Sequence, residues 1–189
     1  GDIYVADSGN DVLRKISVST GIITTVVGTG KSGYSGDGGL ATMATLRTPS
    51  SIVIDAFQNI FFSDSGNRVI RKVNATVYIS TVLGGGEGSF PNYGDNGPAR
   101  RATLSKPSGI ALDSFSNFYI VDLGLNVVRK VSFKTGNITL LAGNYRLGYG
   151  GDGSQATAAS LDSPYGIALD SNQDIYISDT GNYVVRKVT

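Results

Sequence analysis

One segment of fifteen residues recurs four times along this chain of 189 residues, and this repeat constrains the fold more than any other feature. The copies read DIYVADSGNDVLRKI, NIFFSDSGNRVIRKV, NFYIVDLGLNVVRKV and DIYISDTGNYVVRKV, at 2–16, 59–73, 117–131 and 174–188. They are spaced by 57 or 58 residues. Such a chain stacks copies of one supersecondary unit instead of folding around a single unrepeated core.

Two further elements recur between these copies. One recurs as TPSSIVID at 48–55, KPSGIALD at 106–113 and SPYGIALD at 163–170. The other is an apolar run ending in glycine, at 22–28, 78–84 and 138–143. Each unit therefore holds four short apolar segments separated by Gly, Pro, Asn, Asp and Ser, which predicts strands joined by turns. The longest helical segments that we expect are single turns around ATMATL, PARRATL and QATAAS.

Four antiparallel strands per unit at this period predict an all-β fold, a β-propeller of four-stranded blades. We expect complete blades at 48–84 and 106–143 and partial blades at 1–28 and 163–189, about three and a half blades in all. An open arc would expose the apolar faces of its end blades. We therefore expect either that these residues belong to a larger ring, the interpretation that we favour, or that partner chains cover both open ends.

The repeat resembles the NHL repeat. The likeness is carried by PxGIAxD, by NIYIxDxGNxxVRKV, by an apolar strand ending in glycine and by a longer connector containing Y-x-G-D-G, and it covers essentially the whole chain. It implies a propeller with a central channel, commonly of six blades. The family includes protein-binding modules, RNA-binding modules and a few enzymes, so the implied fold does not by itself specify a function.

Composition excludes several kinds of chemistry. The chain has no Cys, so it has no thiolate nucleophile and no Cys-based zinc site. It also has no His, the residue that most often acts as a general base. Its net charge of +1 gives no electrostatic footprint for nucleic acid. No apolar run approaches the roughly 20 residues that span a bilayer. Because the chain starts at Gly1 without a signal-like segment, we expect a processed product or a window of a longer protein.

The stretch GTGKSGYSGDGG at 28–39 looks like a phosphate-binding loop, but its own copies argue against that function. A P-loop needs a glycine where Thr25 stands and a helix after its Lys-Ser pair, and Lys31 and Ser32 are not repeated in the other units. We interpret the stretch as a connector between blades, in which glycines adopt positive φ and the recurring aspartate closes a turn. These recurring aspartates are Asp37, Asp95 and Asp152.

An aspartate and an arginine seven residues apart recur in all four units. If residues 8–11 form a four-residue loop, Asp7 faces Val12 and Val5 faces Arg14, which places Asp7 and Arg14 diagonally on one face of the sheet. We predict a structural, partly buried pair in every unit and no catalytic residue. The pairs are Asp7 and Arg14, Asp64 and Arg71, Asp122 and Arg129, and Asp179 and Arg186.

Other aspartates are weaker candidates. Calcium would need several oxygens at one point, whereas the connector aspartates bring one carboxylate each, so we expect no cofactor and keep calcium only as an alternative. The aspartates that end the innermost strands could line one mouth of the channel and hold a metal in a propeller enzyme. They are Asp55, Asp113 and Asp170.

The sequence also contains recurring basic pairs and two N-glycosylation sequons. Each RK pair should give one paired arginine and one solvated lysine, and Arg100 and Arg101 add a local basic spot. Asn74-Ala-Thr and Asn137-Ile-Thr are N-glycosylation sequons that we place in the outer turn between third and fourth strands, which favours an extracellular or cell-surface setting.

We therefore expect a non-catalytic propeller scaffold that binds protein or glycan, with no membrane span in this segment. The alternative is a segment of a propeller enzyme, a metal-dependent hydrolase or lyase. Nucleic acid is the least favoured partner, because the charge is balanced and aromatic residues are only modestly interleaved with the basic ones.

Overall fold

The computed structural model describes residues 1–89 and 93–189, and this part of the chain is all-β with short 3₁₀ turns. Three of these turns lie where single helical turns were predicted, at Ala41–Met43, Ala99–Arg101 and Ala156–Ala158. Three more lie in the hairpins of the fifteen-residue repeat, at Ser8–Asn10, Ser65–Asn67 and Thr180–Asn182. The chain divides into two compact units, Gly1–Val82 and Leu83–Thr189.

The first two antiparallel sheets begin in the first unit. Blade 1 is three-stranded, in the order β1 (Ile3–Asp7), β2 (Val12–Ile16) and β3 (Ile23–Val27). Blade 2 is four-stranded, in the order β4 (Pro49–Ile54), β5 (Ile60–Asp64), β6 (Val69–Val73) and β7 (Ile79–Gly84).

The second unit contains the other two sheets. Blade 3 is four-stranded, in the order β8 (Pro107–Leu112), β9 (Phe118–Asp122), β10 (Val127–Val131) and β11 (Ile138–Ala142). Blade 4 is three-stranded, in the order β12 (Pro164–Leu169), β13 (Ile175–Asp179) and β14 (Val184–Val188). The fold is a β-propeller with two complete and two partial blades, as the sequence predicts.

Strand pairing follows from the loop lengths. In blade 1, Asp7 lies opposite Val12 and Val5 opposite Arg14, the register that a four-residue loop imposes. The residue that reverses the chain is not the loop glycine but the non-glycine residue after the 3₁₀ turn, which adopts a left-handed conformation. These left-handed residues are Asp11, Arg68 and Tyr183, with φ of 54°, 61° and 59°.

The glycine that ends each apolar strand is required by space as well as by conformation. Gly28 and Gly143 have φ of 96° and 92°, a region that residues with a Cβ rarely adopt. A Cβ on Gly28 would lie 2.7 Å from the Asp11 carbonyl oxygen, and a Cβ on Gly143 would lie 2.5 Å from that of Asn126. The chain therefore turns beneath the hairpin loop of the same blade before it enters the connector to the next blade.

Each unit has an apolar core at the base of its connector. In the first unit the core joins both blades and the connector, and it consists of Leu13, Val27, Ala41, Ala44, Leu46, Phe62, Val73 and Ile79. In the second unit the corresponding cluster includes Val128, Ala142, Leu161, Ile175 and Ile177. The small alanines of the 3₁₀ turns let the connector backbone lie directly against the sheets.

Candidate functional site

Each buried arginine of the repeat lies at the centre of a polar cluster. Arg71, on β6, has no solvent exposure. Its Nη1 donates to the Thr45 carbonyl at 3.1 Å, and its Nη2 donates to the Ser35 carbonyl at 2.8 Å and to Asp37 Oδ1 at 2.6 Å. All three acceptors belong to the connector, residues 28–48, that leads into blade 2. Arg71 therefore ties the connector to the third strand.

The same cluster recurs in blades 3 and 4 at identical sequence separations. Arg129 Nη1 donates to the Thr103 carbonyl at 2.9 Å, and its Nη2 pairs with Asp95 Oδ1 at 2.7 Å. Arg186 pairs with Asp152 Oδ1 at 2.6 Å, and its Nη2 also donates to the Gly150 carbonyl at 3.0 Å. The sequence predicts that the connector aspartates close turns. Instead, each of them binds the arginine on the third strand of the following blade.

The aspartate at the end of each second strand lies on the other side of the arginine. Asp64 is fully buried, accepts the Arg47 N–H at 2.7 Å and Asn67 Nδ2 at 2.9 Å, and lies 3.6 Å from Arg71 Nη1. In blade 4, Asp179 lies 3.2 Å from Arg186 Nη1. The structure therefore brings the expected Asp and Arg together within an Asp–Arg–Asp cluster of three charged groups.

Blade 3 differs in one contact. Asp122 accepts the Ser105 and Lys106 backbone N–H groups, both at 2.9 Å, while Arg129 directs Nε and Nη2 to Asp95. Tyr145 also donates its hydroxyl to Asp95. The sequence predicts Asp122 as the partner of Arg129, but the carboxylate that accepts the hydrogen bonds of Arg129 is Asp95. Asp122 and Arg129 interact as nearby charges.

Burial and hydrogen bonding act in opposite directions on these carboxyl groups. Burial raises the pKa of Asp64, although hydrogen bonds from Asn67 and Arg47 and the charge of Arg71 act to lower it. Burial also acts to raise the pKa of Asp37, but hydrogen bonds from Arg71 and Thr81 outweigh it and leave the pKa below its ordinary value. The two differ because Asp64 has no exposure, whereas the Asp37 side chain is 41% exposed and lies closer to Arg71.

In blade 1 the pair is more exposed. Arg14 Nε donates to Asp7 Oδ2 at 2.7 Å, and Asn10 Nδ2 donates to Asp7 Oδ1 at 2.8 Å. The side chains of Arg14 and Asp7 are 35% and 25% exposed. Blade 1 thus contains a solvated copy of the buried cluster of the other blades.

The aspartates at the ends of the innermost strands close turns. Asp55 Oδ1 accepts the N–H groups of Phe57 and Asn59 at 2.9 and 2.8 Å, and Asp55 Oδ2 accepts Asn59 Nδ2 at 2.7 Å. Asp113 makes the same contacts with Phe115 and Asn117. Asp170 accepts the N–H groups of Asn172 and Asp174. Turn closure, expected of the connector aspartates, belongs to this set instead.

The connector that resembles a phosphate-binding loop uses its backbone donors internally. Gly28 and Gly33 donate N–H groups to the carbonyls of Ala41 and Leu46, both at 2.9 Å, and Thr29 donates to Ala44. A phosphate would need these donors to be available. The segment contributes its backbone to packing, as its internal copies indicate.

The connector lies close to the hairpin glycine in three of the four units. A Cβ on Gly66 would lie 2.9 Å from the Arg47 carbonyl oxygen, and one on Gly124 would lie 2.8 Å from Ser105 Cβ. One on Gly181 would lie 2.3 Å from Asp162 Cγ, whereas one on Gly9 would meet nothing within 4 Å. The connector therefore lies directly over each of these three hairpins.

The lysines of the RK pairs are less free than predicted. Lys15 Nζ lies 2.6 Å from Asp2, and Lys187 Nζ lies 2.6 Å from Asp174. Lys130 Nζ lies 5.2 Å from the centroid of the Tyr119 ring, a cation–π distance. These contacts reduce the number of cations available to an anionic partner.

Sequence reasoning missed two recurring partners. The asparagine three residues after the strand-end aspartate donates to that aspartate in three units, through Asn10, Asn67 and Asn182. The connector tyrosines Tyr34 and Tyr149 lie over Arg71 and Arg186, with the guanidinium carbon 5.3 and 5.4 Å from the ring centroids. The recurrence of these residues in D-S-G-N and Y-x-G-D was a signal that could have identified both.

Large aromatic side chains are exposed where strands 1 and 2 and strands 3 and 4 of a blade are joined. Phe115 and Phe133 are 73% and 71% exposed, and Phe133 donates its N–H to Asn117 Oδ1 at 2.9 Å, which joins the two turns. We call Phe115 and Phe133 the aromatic turn pair. In the first unit, Phe57 is the copy of Phe115 and is 77% exposed.

The two sequons lie at the same end of their blades as these turns. Asn74 follows β6 and is exposed, and its Oδ1 accepts the N–H groups of Thr76 and Tyr78. Asn137 precedes β11 and is half-buried.

Among residues 1–89 and 93–189, no helix is long and apolar enough to cross a membrane, and no group of three or more His, Cys, Asp or Glu side chains could hold a metal ion.

Known proteins with similar sequences include one that is named for its NHL repeats. The chain is 25% identical over 221 residues to human NHL repeat-containing protein 2 and 27% identical over 214 residues to mouse teneurin-3. It is also 25% identical over 195 residues to SUPPRESSOR OF QUENCHING 1, described as chloroplastic, from Arabidopsis thaliana. These matches cover 98%, 100% and 98% of this chain but only 29%, 8% and 18% of those proteins. No protein-family model matches the chain.

Solved structures support the fold. A protein of unknown function from Bacteroides thetaiotaomicron superposes with a TM-score of 0.72 at 22% identity, over 97% of this chain and 43% of that one. A streptogramin B lyase superposes with a TM-score of 0.63 at 13% identity, over 100% of this chain and 48% of that one. At these identities the likeness concerns the fold alone. One of the two similar structures is that of an enzyme, the lyase.

Proposed function

Because this chain is an NHL-repeat β-propeller, we propose that it is a non-catalytic scaffold that binds a protein or glycan partner, within a larger extracellular protein. One observation carries the proposal: the recurring charged groups are engaged inside the blades, while aromatic side chains are exposed in the turns. The chain spans less than a third of the length of the curated relatives that it matches.

The buried clusters are unsuited to acid–base chemistry. Arg71 and Arg129 have no exposure, and their hydrogen bonds go to connector carbonyls and carboxylates. A catalytic group must reach the proton that it transfers in a bound substrate. The carboxylates of Asp55 and Asp113 have backbone N–H groups as partners, so they stabilise turns. These contacts favour a structural function for the repeated charges.

The aromatic turn pair is suited to a partner surface. Aromatic side chains are enriched among the residues that dominate binding energy in protein interfaces, and they also stack on sugar rings. Phe115 and Phe133 lie in turns joined by a hydrogen bond, so little conformational entropy is lost when a partner covers them.

The proposed extracellular setting is supported by the sequons alone. One of the relatives, the Arabidopsis protein, is described as chloroplastic.

The test compares the double variant Phe115→Ser/Phe133→Ser with the parent chain and with Tyr183→Ser. Tyr183 is 95% exposed in the hairpin loop of blade 4, where strands 2 and 3 are joined, and serves as the matched control. Each protein is immobilised and presented with arrays of purified extracellular proteins and of glycans. We expect at least one specific ligand that the double variant binds at least tenfold more weakly and that Tyr183→Ser binds normally.

Two outcomes would overturn the proposal. In the first, every ligand binds the double variant as well as it binds the parent. In the second, the parent turns over lactone or lyase substrates when divalent metal is supplied, which would support the enzyme alternative that the lyase-like fold keeps open.

A further inference from the structure

Four apolar side chains are exposed together at the outer edge of blade 2. Leu40 and Met43 belong to the connector and are 46% and 69% exposed, and Val77 and Tyr78 belong to the turn before β7 and are 55% and 49% exposed. We call these four residues the rim patch. Single exposed apolar residues are normal on a protein surface, whereas a contiguous group marks a surface that binds something.

Backbone contacts hold the members of the rim patch next to one another. Leu40 and Tyr78 lie opposite each other in an antiparallel bridge, so their side chains are neighbours. The Ala41 N–H donates to the Val77 carbonyl at 2.8 Å, and the Met43 N–H donates to the Leu40 carbonyl at 3.0 Å. Blade 2 has all four of its strands, so its own sheet leaves the patch uncovered.

The fold of a blade does not require apolar residues at this edge. In blade 3 the Ala99 N–H donates to the Gly136 carbonyl at 2.9 Å, and Pro98 lies opposite Asn137 in an antiparallel bridge. The Arg101 N–H donates to the Pro98 carbonyl at 2.9 Å. The backbone contacts are therefore the same, but the side chains differ. The counterparts of Leu40, Met43, Val77 and Tyr78 are Pro98, Arg101, Gly136 and Asn137.

A sequon lies in the same turn as half of the rim patch. Asn74 begins this turn, and its N–H donates to the Tyr78 carbonyl at 3.0 Å. Asn74 Oδ1 accepts the N–H groups of Thr76 and Tyr78 at 3.1 and 2.9 Å, and the Thr76 hydroxyl at 2.9 Å. Its Nδ2, the atom to which a sugar is attached, has no hydrogen-bond partner among the described residues. The acceptor amide is therefore held against the backbone of Tyr78, beside the patch.

The chemistry of an N-glycan suits this surface. The faces of a pyranose ring present C–H groups, which can lie on aliphatic and aromatic side chains, while the hydroxyl groups at the ring edge stay in water. Removal of apolar surface from water is favourable. The outer sugars are polar and solubilising. A glycan on Asn74 would therefore replace an apolar surface with a hydrated one.

We propose that an N-glycan on Asn74 covers the rim patch, with its first N-acetylglucosamine on Tyr78 and Leu40. The proposal rests on the extracellular setting of the proposed function and does not involve the aromatic turn pair. Asn137, the acceptor of the other sequon, is half-buried and has Pro98 opposite it instead of an exposed leucine. The two sequons therefore differ in what a sugar attached to them would contact.

The attachment is a group transfer from a lipid-linked oligosaccharide diphosphate. A bond forms between Asn74 Nδ2 and the anomeric carbon of the first sugar, and the bond between that carbon and the diphosphate oxygen breaks. The lipid diphosphate leaves with the electron pair of the broken bond, and Nδ2 loses one proton. Nothing is oxidised or reduced.

The test uses the full chain with Asn137→Gln, secreted from eukaryotic cells, so that Asn74 is the one sequon left. One portion is trimmed with an endoglycosidase that leaves a single N-acetylglucosamine, and another with an amidase that removes the whole glycan and leaves aspartate. Loss of the last sugar exposes the rim patch. We therefore expect it to lower the midpoint of thermal unfolding by about 2–4 °C and to increase the binding of an apolar dye.

Two variants show whether the sugar acts through the rim patch. In Tyr78→Ser the aromatic ring is absent, so removal of the glycan should change the midpoint by less than about 1 °C. The matched control Val18→Ser changes an exposed apolar residue in the corresponding turn of blade 1, which has no sequon. There the removal should have the same effect as in the parent. If Tyr78→Ser fails to fold, the comparison of the three glycan forms still decides.

Three results would overturn the proposal. A secreted chain without sugar on Asn74 would do so and would also count against the extracellular setting. A glycan whose removal changes neither the midpoint nor the dye binding would overturn the proposal and leave the setting supported. A glycosylated chain that elutes as a dimer, and as a monomer after Tyr78→Ser, would assign the patch to a second copy of the chain.

Discussion

At the scale of single residues, the same sequence position has different surroundings in different blades. Asp7 and Asp64 occupy equivalent positions at the ends of β1 and β5, yet the Asp7 side chain is 25% exposed and that of Asp64 is fully buried. Gly9 and Gly66 differ in the same way, because the blade 2 connector lies over Gly66. The same substitution can therefore be made at an exposed and at a buried copy of one position. The two variants of such a pair differ in the burial of the substituted residue and not in the type of substitution.

The first pair tests the buried carboxylate. Asp64→Ala should lower the free energy of unfolding by about 3 kcal/mol, because it leaves Arg71 buried and removes the acceptor of the Arg47 N–H. Asp7→Ala should cost less than about 1 kcal/mol, because water can solvate Arg14. Urea denaturation of the two variants measures both values, and equal losses of stability would refute the buried cluster.

The second pair tests the close approach of the connector. Gly66→Ala should lower the free energy of unfolding by about 1–3 kcal/mol, because its Cβ would lie 2.9 Å from the Arg47 carbonyl oxygen. Gly9→Ala should stay within about 0.5 kcal/mol of the parent, since nothing lies within 4 Å of its Cβ. Thermal melts of both variants are sufficient, and a Gly9→Ala variant as unstable as Gly66→Ala would contradict the explanation by packing.

At the scale of elements, the connectors act as structural parts rather than loose loops. Each carries an aspartate to the arginine of the following blade, at 2.6 Å for Asp37, 2.7 Å for Asp95 and 2.6 Å for Asp152. The contact spans 34 residues of sequence and ties the connector to the third strand of its blade. In blade 2, part of the stability therefore depends on the ionisation of the connector carboxylate of Asp37, whose pKa lies below its ordinary value.

This dependence gives a prediction for pH. Hydrogen bonds from Arg71 and Thr81 outweigh burial and lower the pKa of Asp37. A carboxyl whose pKa is lower in the folded chain stabilises the fold above the unfolded-state pKa, about 3.9, and loses that contribution as the pH falls through the folded-state value. Asp37→Asn should therefore cost about 1 kcal/mol at neutral pH, a value reduced for solvent screening because the side chain is 41% exposed.

The measurement is urea denaturation of the parent and of Asp37→Asn across a pH series. The difference in the free energy of unfolding should be full near neutral pH and should shrink as the pH is lowered below about 3.9. Asp152→Asn is the matched control, with a smaller effect expected because Asp152 is 66% exposed. A difference that grows in acid would contradict the assigned direction.

At the scale of the whole molecule, the function depends on where the protein resides. The proposed extracellular setting is supported by the two sequons, and their use can be measured. Asn74 is exposed in the turn after β6, whereas Asn137 is half-buried beside β11. An acceptor asparagine must be reached by the transferase, so the two sequons should differ.

We expect Asn74 to be glycosylated when the chain is secreted from eukaryotic cells, and Asn137 to a smaller extent. The mass of the intact protein, measured before and after enzymatic removal of N-glycans, gives the occupancy, and Asn74→Gln should remove most of the modification. A secreted protein without sugar on Asn74 would count against the extracellular setting.

The fold was predictable from the sequence because the repeat shows it four times. The spacing of 57 or 58 residues, the short apolar segments and the turn residues specify four-stranded units, and the four-residue loop specifies the register of Asp7 against Val12. These are local properties: strand length, turn chemistry and loop length act between neighbours in sequence. The expected diagonal placement of Asp7 and Arg14 followed from them as well.

The sequence by itself thus determined the repeated architecture and the identity of the recurring residues. Only the tertiary structure decided which carboxylate meets which arginine: Asp95 takes the hydrogen bonds of Arg129, while Asp55 closes a turn, as the connector aspartates were expected to do. The physical reason is that the contacts of the arginines join residues 26–36 positions apart, and such contacts depend on how connectors fold back over blades.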